Sequence, residues 1–323
     1  MKPFTLVRPA SLAEAARLSA PSDAEIKAGG VDLVDRMKEG IDSPSIVVSL
    51  LEIAGHDRIE PGPPARLGAL ATLARIADDA GLRKAYPALA DAAAGAATPQ
   101  IRHMATLGGN LCQRPRCWYY RLEEFECRKK GGNDCFARDG ENRFHAVFDT
   151  DLTCCCIHPS ATGTALLAYG ASLDVVGPKG RRKLPIDQFF HRPVKDPTRE
   201  NTLEPGEIVA TVALPAPGAG ARSAYRKLKE KESFDWPLVE TCVVFTLSGG
   251  TVRGARVVFG SVAPTPWRSK AAEAALEGGT PSDALARKAA EAAVAEARPL
   301  SQNAYKVTLA RVELERALRQ AWA

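Results

Sequence analysis

The first fifty residues alternate between short apolar runs and segments with helical spacing. A strand is predicted at 4–7, and a helix follows because Ser11 and Glu14 are placed as a capping box. The later elements are a strand, a helix and a strand at 25–28, 31–37 and 46–50. The pattern predicts a small α/β unit over residues 1–55.

A proline-rich turn at 61–64 opens a longer second unit, predicted over residues 56–215. Its predicted elements are two helices, a helix followed by a strand, and two strands, at 72–80, 88–93, 164–176, 184–186 and 208–214. A cysteine-rich insertion at 112–156 interrupts this pattern. The chain therefore carries a patterned unit with a chemically distinct segment inside it.

A segment rich in proline and glycine at 215–220 marks the best domain boundary, because it separates two patterned regions. The third unit is predicted over residues 216–323. Its predicted elements are a β-hairpin and three helices, at 239–247, 255–262, 269–276, 282–297 and 307–322.

Composition and charge exclude several classes of protein. The 323 residues include 43 basic and 38 acidic ones, for a net charge of +5, and the mean hydropathy is −0.16. No run of Lys and Arg exceeds three residues, which argues against nucleic-acid binding. The N-terminus lacks the features of a secretory signal, and no stretch predicts a membrane span. We expect a cytoplasmic protein; export of a folded complex on a partner's signal stays open.

The first candidate binding segment is the pair Gly29-Gly30, between a predicted strand and a predicted helix. Glycine permits a close backbone approach, and the free N–H groups of a helix start favour phosphate. A purely structural turn is the alternative. The chain has neither G-x-G-x-x-G nor a Walker A lysine, which argues against a Rossmann or P-loop site.

The second candidate segment is the pair Gly108-Gly109, which lies between Thr106 and Asn110. Their side chains can hydrogen-bond a polar ligand beside a backbone that the ligand can approach. A tight turn at a strand end is again the structural alternative. What favours a ligand is the occurrence of both glycine pairs in one chain, just before the cysteines.

Seven of the eight cysteines fall between Cys112 and Cys156, and only Cys242 lies outside. In a chain without a secretion signal, clustered thiols are more typical of metal ligands or redox groups than of disulfides. Four thiolates can bind a [4Fe–4S] cluster or a tetrahedral zinc ion, and the spacing does not separate the two. Unligated buried thiols are the remaining interpretation.

Six ordered motifs are spread along the chain between residues 28 and 266: AGGVDL at 28–33, ATLGGNL at 105–111, HPS at 158–160, LEPGEIV at 203–209, SFDW at 233–236 and GSVAPTP at 260–266. Together they resemble the FAD-binding medium subunit of the xanthine dehydrogenase family of molybdenum hydroxylases. The cysteine segment resembles the loop of the subgroup with an added [4Fe–4S] cluster, as in 4-hydroxybenzoyl-CoA reductase and certain bacterial aldehyde oxidoreductases.

The resemblance implies an α+β fold, in which a two-subdomain FAD-binding module of the PCMH type precedes a C-terminal α+β domain of the CO dehydrogenase flavoprotein type. It places the pyrophosphate of FAD at 28–33 and the ribityl chain and isoalloxazine at 106–110. The residues that it implies for FAD binding are Lys27, Ala28, Gly29, Gly30, Val31, Asp32, Leu33, Thr106, Gly108, Gly109, Asn110, His158, Ser160, Ile208 and Lys227.

The same resemblance implies that Cys117, Cys127, Cys135 and Cys154 bind the [4Fe–4S] cluster. Cys154 is preferred to its two cysteine neighbours because it stands four residues before His158. The implied function is electron transfer, with no general acid or base in this chain. The implied partners are a large molybdopterin-binding subunit, a small subunit with two [2Fe–2S] clusters and an external carrier such as ferredoxin, in a dimer of heterotrimers.

Two positions depart from the family pattern. Val31 replaces the usual Thr after the first glycine pair, and Ala161 replaces the usual Asp after the His-Pro-Ser run. Each change removes a polar group from the expected flavin site. They support an alternative, a scaffold subunit that has lost flavin and keeps a structural metal site. A zinc-stapled protein without a redox role is a third interpretation.

Overall fold

A three-stranded parallel sheet forms the N-terminal unit of the computed structural model, which describes residues 1–323. The elements are β1 (Thr5–Val7), α1 (Leu12–Leu18), β2 (Ala24–Lys27), α2 (Leu33–Lys38) and β3 (Ile46–Ser49), with β3 in the centre. The predicted helix start is confirmed: Ser11 Oγ accepts a hydrogen bond from the N–H of Glu14 at 3.2 Å. The Glu14 carboxylate accepts from the N–H of Ala10 instead of Ser11.

A five-stranded antiparallel sheet, in the order β4-β5-β8-β6-β7, forms the second unit. Its elements are β4 (Ile59–Glu60), β5 (Ala65–Gly68), α3 (Leu73–Asp78), α4 (Ala80–Ala85), α5 (Pro87–Ala94), α6 (Pro99–Met104), α7 (Leu107–Cys112), α8 (Trp118–Arg121), α9 (Ala161–Tyr169), β6 (Ser172–Gly177), β7 (Gly180–Pro185), α10 (Ile186–Phe189) and β8 (Ile208–Leu214).

One predicted helix of this unit is wrong in its extent. The segment predicted as a single helix at 72–80 ends at Asp78, because the Asp79 carboxylate accepts from the N–H of Leu82 at 2.9 Å and caps a new helix, α4. The predicted strand at 184–186 likewise ends at Pro185, where α10 begins. The strand predicted at 208–214 matches β8.

A four-stranded antiparallel sheet, in the order β12-β11-β10-β9, forms the third unit. Its elements are β9 (Ala221–Leu228), β10 (Val239–Ser248), β11 (Thr251–Gly260), β12 (Trp267–Arg268), α11 (Lys270–Leu276), α12 (Asp283–Val294) and α13 (Tyr305–Trp322). The predicted hairpin and three helices are confirmed, whereas β9 was not predicted. One sheet face contributes Val243 and Phe259 to the core with α11–α13, and the other contributes Tyr225 and Cys242 to the core of the second unit.

The C-terminal helix α13 and the turn before it hold the cysteine segment in place. The side-chain amide of Asn303 donates to the carbonyl oxygens of Asn142, His145 and Ala146 at 3.3, 3.2 and 2.9 Å. The buried Lys306 ammonium donates to the carbonyl oxygens of Phe144 and His145, at 3.3 and 3.1 Å, and to that of Ser261 at 2.6 Å. We call Asn303 and Lys306 the α13 clamp. None of the helices has the length and apolar character needed to cross a membrane.

Candidate flavin cleft and cysteine cavity

Two adjoining cavities, which we call the cleft, lie between the units: all three units line the first cavity, and the first and second units line the second. The first has a volume of about 330 Å³ and is lined by eleven of the predicted FAD residues: Lys27, Ala28, Gly29, Gly30, Val31, Asp32, Leu33, Thr106, Gly109, Asn110 and Lys227. The second, of about 590 Å³, shares Ala28 and Gly109 with the first and is also lined by Gly108 and Ile208. An elongated concave site of this kind suits an elongated dinucleotide.

His158 and Ser160 line neither cavity of the cleft and lie behind it. Ser160 Oγ donates to Asn110 Oδ1 at 2.7 Å and accepts from the N–H of Gly163, which caps α9. The imidazole of His158 packs edge-on against Phe190 at 4.8 Å between centroids, and burial lowers its pKa to about 3. Both residues therefore support the wall that carries Asn110.

The first glycine pair has a packing role that the sequence did not show. A Cβ at position 29 would lie 1.9 Å from the carbonyl oxygen of Met104, so the glycine permits two backbones to pass. Gly30 has a φ of +78°, which an L side chain rarely adopts. The turn also lines the cleft, so the glycines can serve backbone packing and ligand binding at the same time.

The second glycine pair lies inside helix α7 and not in a strand-end turn. Thr106 caps this helix, with its Oγ1 accepting from the N–H of Gly109 at 3.2 Å. Asn110 Oδ1 accepts from Ser160 and Thr162, at 2.7 and 2.6 Å. Thr106 and Asn110 therefore line the cleft with side chains that hydrogen bonds within the protein hold in place.

Asp32 is the centre of an ion-pair network that the sequence did not predict. Its Oδ1 accepts from Arg116 at 2.6 Å and from Arg121 at 2.7 Å, and its Oδ2 accepts from the N–H of Arg114 at 2.9 Å. Burial alone would raise the pKa of Asp32, but Arg116, Arg36 and these hydrogen bonds outweigh it and the pKa is lowered. The carboxylate thus fastens the start of the cysteine segment to the first glycine turn.

The third unit contributes a wall with a buried carboxyl, Glu240, which is absent from the residues predicted from the sequence. Glu240 is 1% exposed and lines the cleft beside Lys227, Trp236 and Pro237. Tyr225 Oη donates to Glu240 Oε1 at 2.6 Å. The only sequence signal was a single acidic residue in the otherwise apolar strand pattern of 239–247.

The four predicted metal-binding cysteines line one small cavity of about 20 Å³, which we call the cysteine cavity. Cys117, Cys127, Cys135 and Cys154 come from four separated stretches of chain, and Cys156 also lines the cavity. Cys155 does not, and its Sγ lies 3.7 Å from that of Cys135. All eight cysteines are free. No three His, Cys, Asp or Glu side chains are arranged in this structure to hold a metal ion.

The pKa values of two of the four thiols are lowered, which is the direction that favours the thiolate form of a metal ligand. Hydrogen bonding from Cys155 lowers the pKa of Cys135 to about 6. Hydrogen bonding from Cys156 and the nearby Lys129 ammonium lower the pKa of Cys154. Burial raises the pKa of Cys117 to about 12. The donor chemistry suits a thiophilic metal centre, although a four-iron cluster needs more room than the cavity has and the segment would have to open around it.

His145 is buried and lines the cysteine cavity. Its Nε2 is 3.2 Å from Cys117 Sγ, its Nδ1 is buried without a partner, and burial lowers its pKa to about 4. A neutral imidazole can donate to or accept from the thiol, depending on its tautomer. Nothing in the spacing of this histidine along the chain connects it to Cys117, so the sequence alone does not mark it as part of the site.

The comparisons with known proteins agree with this fold and cleft. Residues 2–217 match the model of the FAD binding domain in molybdopterin dehydrogenase, and residues 223–321 match the CO dehydrogenase flavoprotein C-terminal domain. The fold and cleft thus define a flavin-binding subunit of the molybdopterin dehydrogenase class. Because the FAD binding domain model matches well over half of the chain, the protein belongs to the family of FAD-binding subunits of xanthine dehydrogenase-type molybdenum hydroxylases.

Individual relatives are similar over the full length. The aldehyde oxidoreductase FAD-binding subunit PaoB of Escherichia coli is 35% identical over 100% of this chain and 99% of its own. The carbon monoxide dehydrogenase medium chain of Hydrogenophaga pseudoflava is 30% identical over 99% and 97%. A solved structure of carbon monoxide dehydrogenase from that organism superposes with a TM-score of 0.77, at 29% identity over 99% and 98%. The predictions of the fold class and of an oxidoreductase flavoprotein subunit are confirmed.

Proposed function

We propose that FAD occupies the cleft, that Cys117, Cys127, Cys135 and Cys154 bind a [4Fe–4S] cluster, and that the chain passes electrons between a partner subunit and an external acceptor or donor. The observation that carries the proposal is the convergence of four distant thiols on one cavity, next to a cleft lined by two glycine segments. Arg116, which lines the cleft, directly precedes Cys117.

In this proposal the protein positions its cofactors. Bound FAD would supply one- and two-electron chemistry, and the cluster one-electron chemistry. Residues 28–33 would hold the pyrophosphate, and Thr106, Gly109 and Asn110 the flavin portion. Asp32 keeps Arg116 and the start of the cysteine segment against the glycine turn. Trp236 and Pro237 line the cleft from the third unit.

The proposed partners are a large molybdopterin-binding subunit and a small [2Fe–2S] subunit. The relatives' descriptions as a medium chain and an FAD-binding subunit support this proposal. A dimer of heterotrimers and a ferredoxin-like carrier complete it. Copurification of a tagged chain with its partners, followed by measurement of the mass of the complex, tests the assembly, and reduction of candidate carriers by that complex tests the carrier.

The cofactors are tested by anaerobic absorption spectra of the purified chain before and after dithionite, together with its iron, zinc and flavin content. Flavin bands and a broad iron–sulfur shoulder that both bleach support the proposal. A shoulder without flavin would favour the scaffold subunit suggested by Val31 and Ala161. Zinc in place of iron, with no shoulder, would favour the zinc-stapled protein.

The ligand assignment is tested by Cys135→Ser, with Cys242→Ser as the matched control. Cys135 lines the cysteine cavity, whereas Cys242 is buried in the core of the second unit. We expect Cys135→Ser to lose iron and the shoulder while it keeps FAD, and Cys242→Ser to keep both. Unchanged iron in Cys135→Ser would overturn the assignment of that ligand.

A further inference from the structure

Cys155 is the one member of the cysteine run 154–156 that does not line the cysteine cavity. Its side chain is fully buried, and its Sγ lies 3.7 Å from Sγ of Cys135, which is 20 positions away in the sequence. Cys135 belongs to the proposed ligand set, whereas Cys155 does not. Metal binding by the four proposed ligands therefore does not account for the thiol at position 155.

The local backbone allows these two sulfurs to come closer, because neither residue lies in a helix or a strand. Cys135 begins a turn, in which its carbonyl oxygen accepts from the N–H of Arg138 at 3.0 Å. Cys155 is held by its own carbonyl oxygen, which accepts from the N–H of Ala146 at 3.0 Å. A disulfide has an S–S distance of about 2.05 Å, so the sulfurs have to approach by about 1.7 Å. Rotation of the Cys135 side chain with a small shift of its turn can supply that approach.

The two thiols differ in their access to solvent. Cys135 is half-buried, whereas Cys155 is fully buried. A small oxidant in solution therefore reaches Cys135 first, and Cys155 lies beside the sulfur that has reacted. An accessible thiol next to a second, resolving thiol is the arrangement typical of redox-responsive cysteines.

We propose that Cys135 and Cys155 form a reversible disulfide, which withdraws Cys135 from metal binding until the bond is reduced. The oxidant is a small disulfide such as glutathione disulfide. Cys135 Sγ attacks it, forms a mixed disulfide and releases one small thiol. Cys155 Sγ then attacks Cys135 Sγ and releases the second small thiol, so the two protons of the protein thiols end on the two released molecules. The disulfide is independent of the proposed function, and only its effect on metal loading rests on Cys135 being a ligand.

The test is mass spectrometry of the full-length chain after treatment with a chelator and then with glutathione disulfide. The remaining thiols are alkylated and the chain is digested with trypsin, which places Cys135 on the peptide 131–138 and Cys155 on the peptide 144–179. We expect the two peptides to be linked in the wild type and to separate after reduction with dithiothreitol. Peptides that stay unlinked at every ratio of glutathione disulfide to glutathione would overturn the proposal.

Variants assign the link, because the peptide 144–179 also carries Cys154 and Cys156. Cys155→Ser should lose the link and accumulate the mixed disulfide on Cys135, whereas the matched control Cys156→Ser should keep the link. A link that persists in Cys155→Ser would overturn the proposal. Should Cys155→Ser fail to fold, fragmentation of the linked wild-type peptides identifies the joined cysteine, and any residue other than Cys155 would count against the proposal.

Iron uptake separates this inference from the proposed ligand set. The oxidised wild type should take up iron and sulfide poorly, and reduction with dithiothreitol before loading should restore the uptake. Full uptake by the linked chain would overturn both the effect on loading and the assignment of Cys135 as a ligand, while the disulfide itself would stand.

Discussion

The ion-pair network around Asp32 gives the most direct test of how the cysteine segment is fastened to the first unit. The perturbation is Asp32→Asn, which keeps the shape and one acceptor oxygen but removes the charge. The side chain of Asp32 is 15% exposed, and it contacts three arginines at 3.4 Å or less. Removing one partner from a buried ion pair costs about 3–5 kcal/mol.

The expected loss is smaller than that range because two of the arginines keep other carboxylates. Arg36 retains Asp42 at 2.7 Å, and Arg121 retains Glu39 at 3.1 Å. Arg116 is left without a carboxylate. We therefore expect Asp32→Asn to lower the free energy of unfolding by about 2–3 kcal/mol at pH 7. The assay is urea unfolding followed by circular dichroism. The free energy of unfolding is the urea concentration at the midpoint multiplied by the slope of the unfolding free energy against urea concentration.

The pH dependence provides a second check with a definite sign. Because the pKa of Asp32 is lowered in the folded protein, its contribution is present above the pKa of an unfolded aspartate and is lost as the pH falls through its folded value. The difference between wild type and Asp32→Asn should disappear in acid. The control is Asp283→Asn, which removes a solvent-exposed pair with Arg319 and should have a much smaller effect. Equal losses in the two variants at pH 7 would refute the reasoning.

Further predictions concern the glycine turn and a buried histidine. Gly29→Ala should destabilise the protein by about 1–3 kcal/mol, because its Cβ would overlap the carbonyl oxygen of Met104; Gly62→Ala, where nothing lies within 4 Å, should change stability by less than about 0.5 kcal/mol in the same urea assay. His158 has a pKa of about 3 when folded against 6.5 for the free side chain, so its neutral form contributes stability that is lost as the pH falls from 6.5 towards 3. Between pH 7 and about pH 5 this amounts to about 2 kcal/mol, and His158→Gln should remove that part of the pH dependence; an unchanged slope would show that another group carries it.

The sequence predicted the helices and strands that depend on interactions between neighbouring residues. The cap at Ser11 and the apolar alternation of 208–214 involve neighbouring residues only, and both are found where the pattern placed them. The break between α3 and α4 also has a local cause, the cap at Asp79, but the continuous helical spacing hid it. Strand β9 was missed because its charged residues weaken the apolar pattern: Arg226, for example, pairs with Glu313 of α13.

The site was predictable only in part, for a physical reason. Motifs identified the segments that line the cleft and the cysteines that meet in one cavity, because these are chemical features of the residues themselves. The role of Asp32 as an ion-pair centre depends on arginines more than 80 residues away along the chain. The contact of Gly29 with Met104 and the hydrogen bond of Tyr225 to Glu240 also join residues that are distant in the sequence, so the spacing of residues along the chain does not predict them.

The α13 clamp has a consequence for the newly made chain. Lys306 holds the carbonyl oxygen of Phe144 across 162 positions of sequence. At a translation rate of about 5–20 residues per second, the ribosome needs roughly 10–30 s to pass from one to the other. During that interval the cysteine segment has left the peptidyl-transferase centre while the helix that fastens it does not yet exist. Iron delivered to the nascent chain would meet thiols still free to move apart, whereas iron delivered after α13 docks would meet a closed cavity.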